Sequence, residues 1–202
     1  MTIELIKDVT KGNLHTAYAR GTFHYAKQEL EKEGYRVISL EELAGLRVGD
    51  GLNLSVISSW TREGFIYVPD GVFLTKNSPI IENSEAATKC HGNGDEFYLN
   101  DEQVKKALAD SVKVTDRNNN YVEIPTKRFA ECPITNFAFG KHAKAYGEFL
   151  KKHKIYTMPM YLAKFIDKPF ARQAWLCRIG INESSLDGVG NLFTGGYVLG
   201  IR

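Results

Sequence analysis

Hydrophobic and polar positions alternate between helical and extended spacing along the first part of the chain. Residues 14–33 carry apolar side chains at roughly helical spacing, which predicts a helix that ends at Gly34. Residues 35–40 (YRVISL) alternate as in a strand. Residues 39–46 (SLEELAGL) then predict a short helix capped by Ser39.

The rest of the pattern continues this mixture of elements. The turn Pro69–Gly71 separates two β-rich runs and predicts a hairpin. Asn100 precedes a predicted helix over residues 101–111, and residues 141–153 predict an amphipathic helix. From Gln173 onward, short β-rich pieces alternate with Gly-rich turns. The pattern therefore predicts an α+β fold without internal repeats.

Composition and charge narrow the class of protein. The chain has 202 residues, of which 43% are hydrophobic and 25% charged, as expected for one globular domain over residues 1–202. Its net charge of +2 argues against a dedicated nucleic-acid binder. The N-terminal sequence MTIELIKDVT lacks the features of a signal peptide, and no apolar stretch is long enough to span a membrane. We expect no nucleic-acid partner, no membrane insertion and a cytoplasmic location by default, with surface display or export left open.

The cysteines do not indicate a metal site or a disulfide framework. Cys90, Cys132 and Cys177 are widely spaced, odd in number and form no CxxC pair. We expect reduced thiols, no metal site and no cofactor. Cys90 and His91 lie in CHGNGDE, which we interpret as a Gly-rich loop because residues adjacent in sequence seldom form a catalytic pair.

A metal-dependent hydrolase or nuclease is the enzymatic alternative. Asp70 is followed by the run ENSEAATK, which loosely resembles the Asp and Glu-x-Lys set that such nucleases place around a divalent ion. The triplet is absent, because Ala86 and Ala87 follow Glu85. The hairpin turn accounts for Asp70 without any catalytic role.

The C-terminal segment mixes two kinds of position. Apolar residues that can fix it to a core are called anchor residues below: Trp175, Leu176, Ile179, Leu186, Leu192, Val198 and Ile201. Between them lie small, flexible and aromatic residues without period, called contact positions below: Cys177, Arg178, Gly180, Ile181, Asn182, Ser185, Asp187, Val189, Gly190, Asn191, Phe193, Thr194, Gly195, Gly196 and Tyr197. Aromatic residues among Ser, Gly and Asn are typical of a binding surface. A Gly-rich β-meander would have a similar composition.

The distribution of lysine adds a second signal in this segment. All 17 lysines lie at or before Lys168, so the last 34 residues contain none. Met and Trp are also absent after Trp175, and Gln is absent after Gln173. Strands and turns disfavour some of these residue types, so the depletion alone is weak evidence.

The tail FARQAWLCRIGINESSLDGVGNLFTGGYVLGIR, which contains these anchor residues, resembles the variable segment of archaeal proteins diversified by diversity-generating retroelements. In that family a framework of the form RQ-x-WL…L-x-G…L…V-x-G-V/I-R alternates with diversified positions. The matching residues here are Arg172, Gln173, Trp175, Leu176, Leu186, Gly188, Leu192, Val198, Gly200, Ile201 and Arg202. The upstream sequence from Glu96 to Leu162 is similar to archaeal members as well.

The resemblance implies a mechanism and a fold. Template adenines are randomised in codons such as AAC, which can become most residue types but never Lys, Gln, Glu, Met or Trp. Every contact position carries a residue type that such randomised codons can encode, whereas Glu183 does not. Tyr197 and Leu199 could each be either a framework or a diversified position. The fold that it implies is the C-type lectin fold of the formylglycine-generating-enzyme type, with a variable segment over about residues 174–199.

The function implied by the resemblance is ligand binding without catalysis. The expected partner is an unidentified macromolecule, either a protein or a cell-surface target, bound by a chain that we expect to be monomeric. Phe193, Tyr197 and Arg178 are the predicted energetic centres, since aromatic and Arg residues dominate binding hot spots. A structural protein whose Gly-rich tail packs against a neighbouring copy is the remaining alternative.

Overall fold

A mixed β-sheet runs through the centre of the protein. The structure, a computed structural model, describes residues 4–7, 16–50, 56–180, 183–188 and 191–202. Its strands are β1 (Glu4–Lys7), β2 (Thr16–Gly21), β3 (Arg36–Val37), β4 (Ser59–Val68), β5 (Gly71–Thr75), β6 (Phe97–Tyr98), β7 (Ser111–Thr115), β8 (Tyr121–Pro125), β9 (Thr157–Leu162), β10 (Phe170–Leu176), β11 (Leu186–Gly188) and β12 (Gly196–Ile201). The main strand order is β1-β2-β12-β4-β10-β11-β9-β8, and β5 joins β4 to β7.

Helices cover both faces of this sheet. They are α1 (Phe23–Lys32), α2 (Leu40–Asp50), α3 (Pro79–Glu82), α4 (Ser84–Gly92), α5 (Asp101–Leu108), α6 (Pro133–Phe139) and α7 (Ala143–Lys152). One core packs α2, α6 and α7 against residues such as Phe65 and Leu199. The other packs α1, α4 and α5 against residues such as Ile66 and Val198. Neighbouring strand residues thus enter opposite cores, as the two-residue period of a strand requires.

The last strand occupies a central place in the sheet. Strand β12 pairs with β2 in antiparallel orientation over its whole length. On its other side it meets β4 in parallel orientation, with Val198 opposite Trp60. Val198 and Leu199 are both 0% exposed and lie in different cores. The carboxyl end of the chain is therefore held by pairing on both edges and packing on both faces.

Several local predictions are confirmed. The Ser39 hydroxyl accepts a hydrogen bond from the Glu42 amide at 3.2 Å, while the Glu42 carboxylate accepts one from the Ser39 amide at 3.0 Å. This reciprocal cap begins α2 where the sequence predicts, although the helix continues to Asp50. Asn100 and Gln103 form the same arrangement at the start of α5. The hairpin between β4 and β5 is also present.

The predicted helix over residues 14–33 is only partly correct. Helix α1 begins at Phe23, and Thr16–Gly21 forms β2, while residues 14 and 15 lie outside the described residues. Ala17 and Ala19 are buried and Arg20 is exposed, which is the alternation of a strand. Alanine favours helices locally, but pairing with β12 and β1 determines the structure here. The alternating segment at residues 35–40 likewise shortens to Arg36–Val37.

The cap at Ser39 provides a test of this local structure. Ser39→Ala removes the acceptor for the Glu42 amide, so the free energy of unfolding should fall by about 1 kcal/mol. Chemical denaturation measures the change, and Ser39→Thr, which keeps a hydroxyl, is the matched control. Equal stability of the two variants would contradict the capping role.

Candidate ligand-binding face

Strands β10 and β11 place neighbouring residues of the C-terminal segment on opposite faces of the sheet. Leu176 and Leu186 are directly opposite each other across the two strands, and both are 0% exposed in the core under α2, α6 and α7. Trp175 and Asp187 form the adjacent pair, so their side chains project from the other face. Strand geometry therefore separates an anchor residue from the contact position beside it.

Cys177 and Asp187 interact on the same face of the sheet as Trp175. The exposed part of this face, together with the exposed residues of the C-terminal segment, is called the outer face below. The Cys177 thiol donates a hydrogen bond to Asp187 Oδ2 at 3.2 Å. Burial, together with the nearby Asp187 carboxylate, raises the pKa of Cys177 to about 11. Burial also raises the pKa of the Asp187 carboxyl. The thiol consequently stays protonated near neutral pH, where it is a weak nucleophile.

A groove of about 210 Å³ opens beside this pair. Cys177, Arg178 and Ser185 line it from the variable segment, and Ser58 and Tyr161 line it from other elements. The Arg178 amide donates to the Ser58 hydroxyl at 2.7 Å, which fixes the backbone while the residue remains exposed. The groove thus combines residues of the C-terminal segment with residues of other elements.

Gly180 and Glu183 also line the groove, and a backbone hydrogen bond joins them. The Gly180 amide donates to the Glu183 carbonyl at 2.8 Å, and Gly180 is half-buried. Ile181 and Asn182, two of the predicted contact positions, lie outside the described residues. Val189 and Gly190 also lie outside them. The prediction for these positions stays a prediction.

Leu192 anchors the following loop. Its side chain is 0% exposed in the core under α1, α4 and α5. Its carbonyl accepts a hydrogen bond from the Phe23 amide at 2.9 Å, and its amide donates to His91 Nδ1 at 3.3 Å. The buried side chain of Leu192, one backbone hydrogen bond and one hydrogen bond to the His91 side chain therefore hold the chain at this point.

The residues around Leu192 project outward. Phe193 is 43% exposed, and Thr194 and Gly195 are exposed as well. Asn191 is half-buried and orders the turn, because its side-chain oxygen accepts from the Phe193 amide at 3.1 Å and its carbonyl accepts from the Thr194 hydroxyl at 3.0 Å. The loop thus presents one large aromatic and small polar groups from a fixed base.

Gly196 and Tyr197 differ from the other contact positions. The expectation of an exposed side chain at Gly196 is wrong: the residue is buried, and an added Cβ would collide with the rings of Trp60 and Trp175. Tyr197 is half-buried, with its ring 5.4 Å from that of Tyr18 in an edge-on arrangement. The Arg20 guanidinium lies 5.7 Å from the centroid of the Tyr197 ring. Tyr197 is therefore partly committed to packing within the sheet.

Residues outside the variable segment support its backbone. Arg47 is fully buried and donates to the carbonyl of Leu176 at 3.4 Å and to the Tyr146 hydroxyl at 2.9 Å. The Ser59 hydroxyl accepts from the Leu199 amide at 2.9 Å. Buried Gln173 donates to the carbonyls of the neighbouring strand β4. Buried polar groups of this kind specify one backbone path, because leaving them unpaired is costly.

Steric contacts explain why two framework positions, Gly188 and Gly200, carry glycine. A Cβ at Gly188 would lie 2.6 Å from the Tyr67 hydroxyl, which donates to the Gly188 carbonyl at 2.8 Å. A Cβ at Gly200 would lie 2.9 Å from both Leu30 and Tyr35. A side chain at either position would force these neighbours to move.

His91 is a supporting residue that sequence reasoning missed. The predicted Gly-rich loop is wrong for Cys90, His91 and Gly92, which form the last turn of α4. His91 is 3% exposed, and burial together with the charge of Arg172 lowers its pKa to about 4. The neutral ring can therefore accept from the Leu192 amide at neutral pH. No local spacing in the sequence connects these two residues.

The enzymatic candidates do not converge on a site. Asp70 occupies the exposed hairpin turn, and Glu85 lies exposed on α4. Among the described residues there is no group of three or more His, Cys, Asp or Glu side chains placed to hold a metal ion. Within the same part of the chain, none of the helices has the length and apolar character needed to cross a membrane.

Comparison with known proteins supports the fold. No protein-family model matches the chain, and no curated protein matches it. A solved structure described as "Accommodation of massive sequence variation in Nanoarchaeota by the C-type lectin fold" aligns with a TM-score of 0.71 at 14% sequence identity. The alignment covers 96% of this chain and 100% of the other. The chain therefore has a C-type lectin fold, as the resemblance of its tail implies.

Leu192 and Phe193 are adjacent in sequence and provide a matched test of the difference between an anchor residue and a contact position. Leu192→Ala should lower the free energy of unfolding by about 2–5 kcal/mol, because it leaves a cavity in the core. Phe193→Ala should change it by less than about 0.5 kcal/mol, as is usual for exposed positions. Denaturant unfolding of both variants makes the comparison, and similar losses would contradict the separation of roles.

The buried His91 predicts a pH dependence of stability. Its folded-state pKa of about 4 lies below the unfolded value of about 6.5, so the unfolded chain binds more protons between these values. The free energy of unfolding should therefore fall as the pH drops from about 6.5 to about 4.

His91→Gln removes the titrating group while keeping an acceptor, and should flatten this part of the curve. His153→Gln, at a half-buried histidine after α7, is the control and should keep the slope. Denaturation at a series of pH values measures both variants. A slope in His91→Gln equal to that of the unmodified protein would refute the assignment.

Proposed function

We propose that this protein is a ligand-display protein whose variable segment, about residues 174–199, is diversified by a retroelement. It binds a protein or cell-surface target through the contact positions and carries out no catalysis. We propose that its C-type lectin fold is of the formylglycine-generating-enzyme type, which the resemblance of the tail implies.

The separation of burial along the segment carries this proposal. Of the seven anchor residues, Leu176, Leu186, Leu192 and Val198 are 0% exposed and Ile201 is 6% exposed. Trp175 and Ile179 are half-buried and pack against the two cores. The described contact positions are exposed or half-buried, apart from Gly196. Substitution at exposed positions usually changes stability little, whereas core truncation is costly. A segment built this way tolerates variation where a ligand can reach it.

The likeness to the Nanoarchaeota structure supports the same function. That structure is described as accommodating massive sequence variation on a C-type lectin fold. Here two of the framework residues implied by the resemblance of the tail, Gln173 and Gly188, are buried and form hydrogen bonds in the interior. Two independent lines, sequence pattern and fold, therefore point to a display role.

The chemistry of the outer face favours binding. Phe193 and Arg178 are exposed, and side chains of these types supply large contact area and several hydrogen-bond donors. The protonated Cys177 and its partner Asp187 provide hydrogen-bonding groups at the groove. The diversified residues then determine which target is recognised.

The proposed mechanism of diversification predicts a feature of the DNA around the gene. A near-copy of the DNA that encodes the variable segment should lie close to a reverse transcriptase gene. The two copies should differ mainly at adenines of the template. Contact positions encoded by codons that this chemistry cannot produce would count against diversification.

Selection from a library tests the display function. The contact positions other than Gly196 are randomised, the library is displayed, and clones are selected on immobilised lysozyme as a defined protein probe. We expect folded clones that bind the probe with dissociation constants of about 1 μM or tighter. Biolayer interferometry with purified clones measures the affinities.

The control library randomises Leu176, Leu186, Leu192 and Val198 and should yield few folded clones. Restoring the original contact residues in a selected clone should abolish binding of the probe. A contact-position library that folds but yields no binder would contradict the display function. Loss of oligomers after substitution of Phe193 and Tyr197 would support the assembly alternative instead.

A further inference from the structure

We infer that Tyr121 and Tyr161, here called the tyrosine pair, form a fixed part of the binding face and pack against a loop of the protein partner. Both residues lie outside the variable segment, so they would contribute to every complex whatever the diversified sequence. This inference rests on the proposed function and names the partner class and two further binding residues.

Register places the tyrosine pair in one row with the variable segment. Tyr121 lies opposite Tyr161 across β8 and β9, and Tyr161 lies opposite Asp187 across β9 and β11. Asp187 in turn lies opposite Trp175. Residues directly opposite each other share a face of the sheet, and strands lie about 4.8 Å apart, so the row spans roughly 14 Å.

One end of the row is covered and the other is open. At the covered end, the Trp175 ring lies 4.6 Å from Trp60, which lies 5.7 Å from Phe23 of α1. At the open end, Tyr161 is 46% exposed and Tyr121 is 42% exposed. Their rings contact each other, with centroids 5.6 Å apart. The pair therefore presents an ordered aromatic surface beside Asp187.

The groove connects the tyrosine pair to the contact positions. Tyr161 and Pro159 form its wall on the β9 side, and Cys177, Arg178 and Ser185 form the wall from the variable segment. A ligand group that enters the groove would touch both walls. The fixed and variable residues thus belong to one continuous surface.

The size of a protein interface requires such additional residues. A stable interface buries about 800 Å² on each partner and uses about 20–30 residues a side. The contact positions number fifteen, and four of them are glycines without a side chain. Fixed residues must supply the remaining area, and tyrosine does so with little loss of side-chain entropy.

The chemistry of the groove favours a protein loop as the occupant. Arg178 and Glu183 both line it, so one positive and one negative group are present. The hydroxyls of Ser58, Ser185 and Tyr161 can each donate and accept hydrogen bonds. A neutral main chain, which carries both amide donors and carbonyl acceptors, complements this lining. A polyanion such as nucleic acid would be repelled by the Glu183 carboxylate in the groove.

The test uses several independent clones selected on lysozyme, as described under the proposed function. Tyr161→Ala and Tyr121→Ala are introduced into each clone, and affinity for lysozyme is measured by biolayer interferometry. We expect each substitution to weaken binding about tenfold or more in most clones. The effect should recur although the diversified sequences differ.

The matched control is Tyr98→Ala. Tyr98 is 45% exposed, contacts Lys168, and lies on β6 beside Phe170, at the far end of β10 from the groove. It should change affinity less than twofold. Thermal melting of every variant tests whether the fold is retained. If Tyr161→Ala is unstable, Tyr121→Ala still tests the inference, because Tyr121 lies on β8, the outermost strand of the main order.

The outcomes separate the two hypotheses. If lysozyme-binding clones are obtained but both tyrosine variants bind as well as Tyr98→Ala, the inference is wrong and the display function stands. If no clone binds, the display function fails and the inference fails with it. If Tyr161→Ala instead converts a dimer into a monomer in sedimentation analysis, the face contacts a second copy and the inference is overturned.

Discussion

The insertion of β12 into the middle of the sheet is the constraint on which the rest of the structure depends. Strand β2 pairs with one edge of β12 along its whole length, and β4 and β3 pair with parts of the other edge. Val198 and Leu199 fill opposite cores. Residues 191–195 must therefore lead into the centre of the sheet along a defined path. Leu192 fixes that path because its side chain is buried, its carbonyl accepts from the Phe23 amide and its amide donates to the His91 ring.

This constraint separates stability from recognition. Buried leucines and distant polar groups such as Arg47 hold the backbone, so the exposed residues between them contribute little to folding. Under the proposed function, the exposed residues can then change, and with them the ligand, while the fold is kept. The separation is incomplete at Gly196, where the tryptophan rings leave no room for a side chain, and at Tyr197, which packs on Tyr18.

Local signals in the sequence predicted local structure well, because caps and turns depend on neighbouring residues, as at Ser39 and Asn100. The anchor residues were also recognisable, since isolated leucines among glycines indicate buried positions. Long-range pairing was not predictable. Thr16–Gly21 becomes a strand through contact with β12, and the bond between His91 and Leu192 joins residues remote in sequence. Tyr161 likewise comes to lie beside Asp187 only through strand register.

The most direct test of the central claim is hydrogen exchange at the anchor amides. The protein is compared with a variant in which Arg178, Ser185 and Phe193 are all replaced by Ala. The amides of Leu192 and Leu199 donate to His91 and Ser59 and should keep the same protection in both proteins. Loss of that protection in the variant would show that the outward residues help to hold the segment, and would contradict the account.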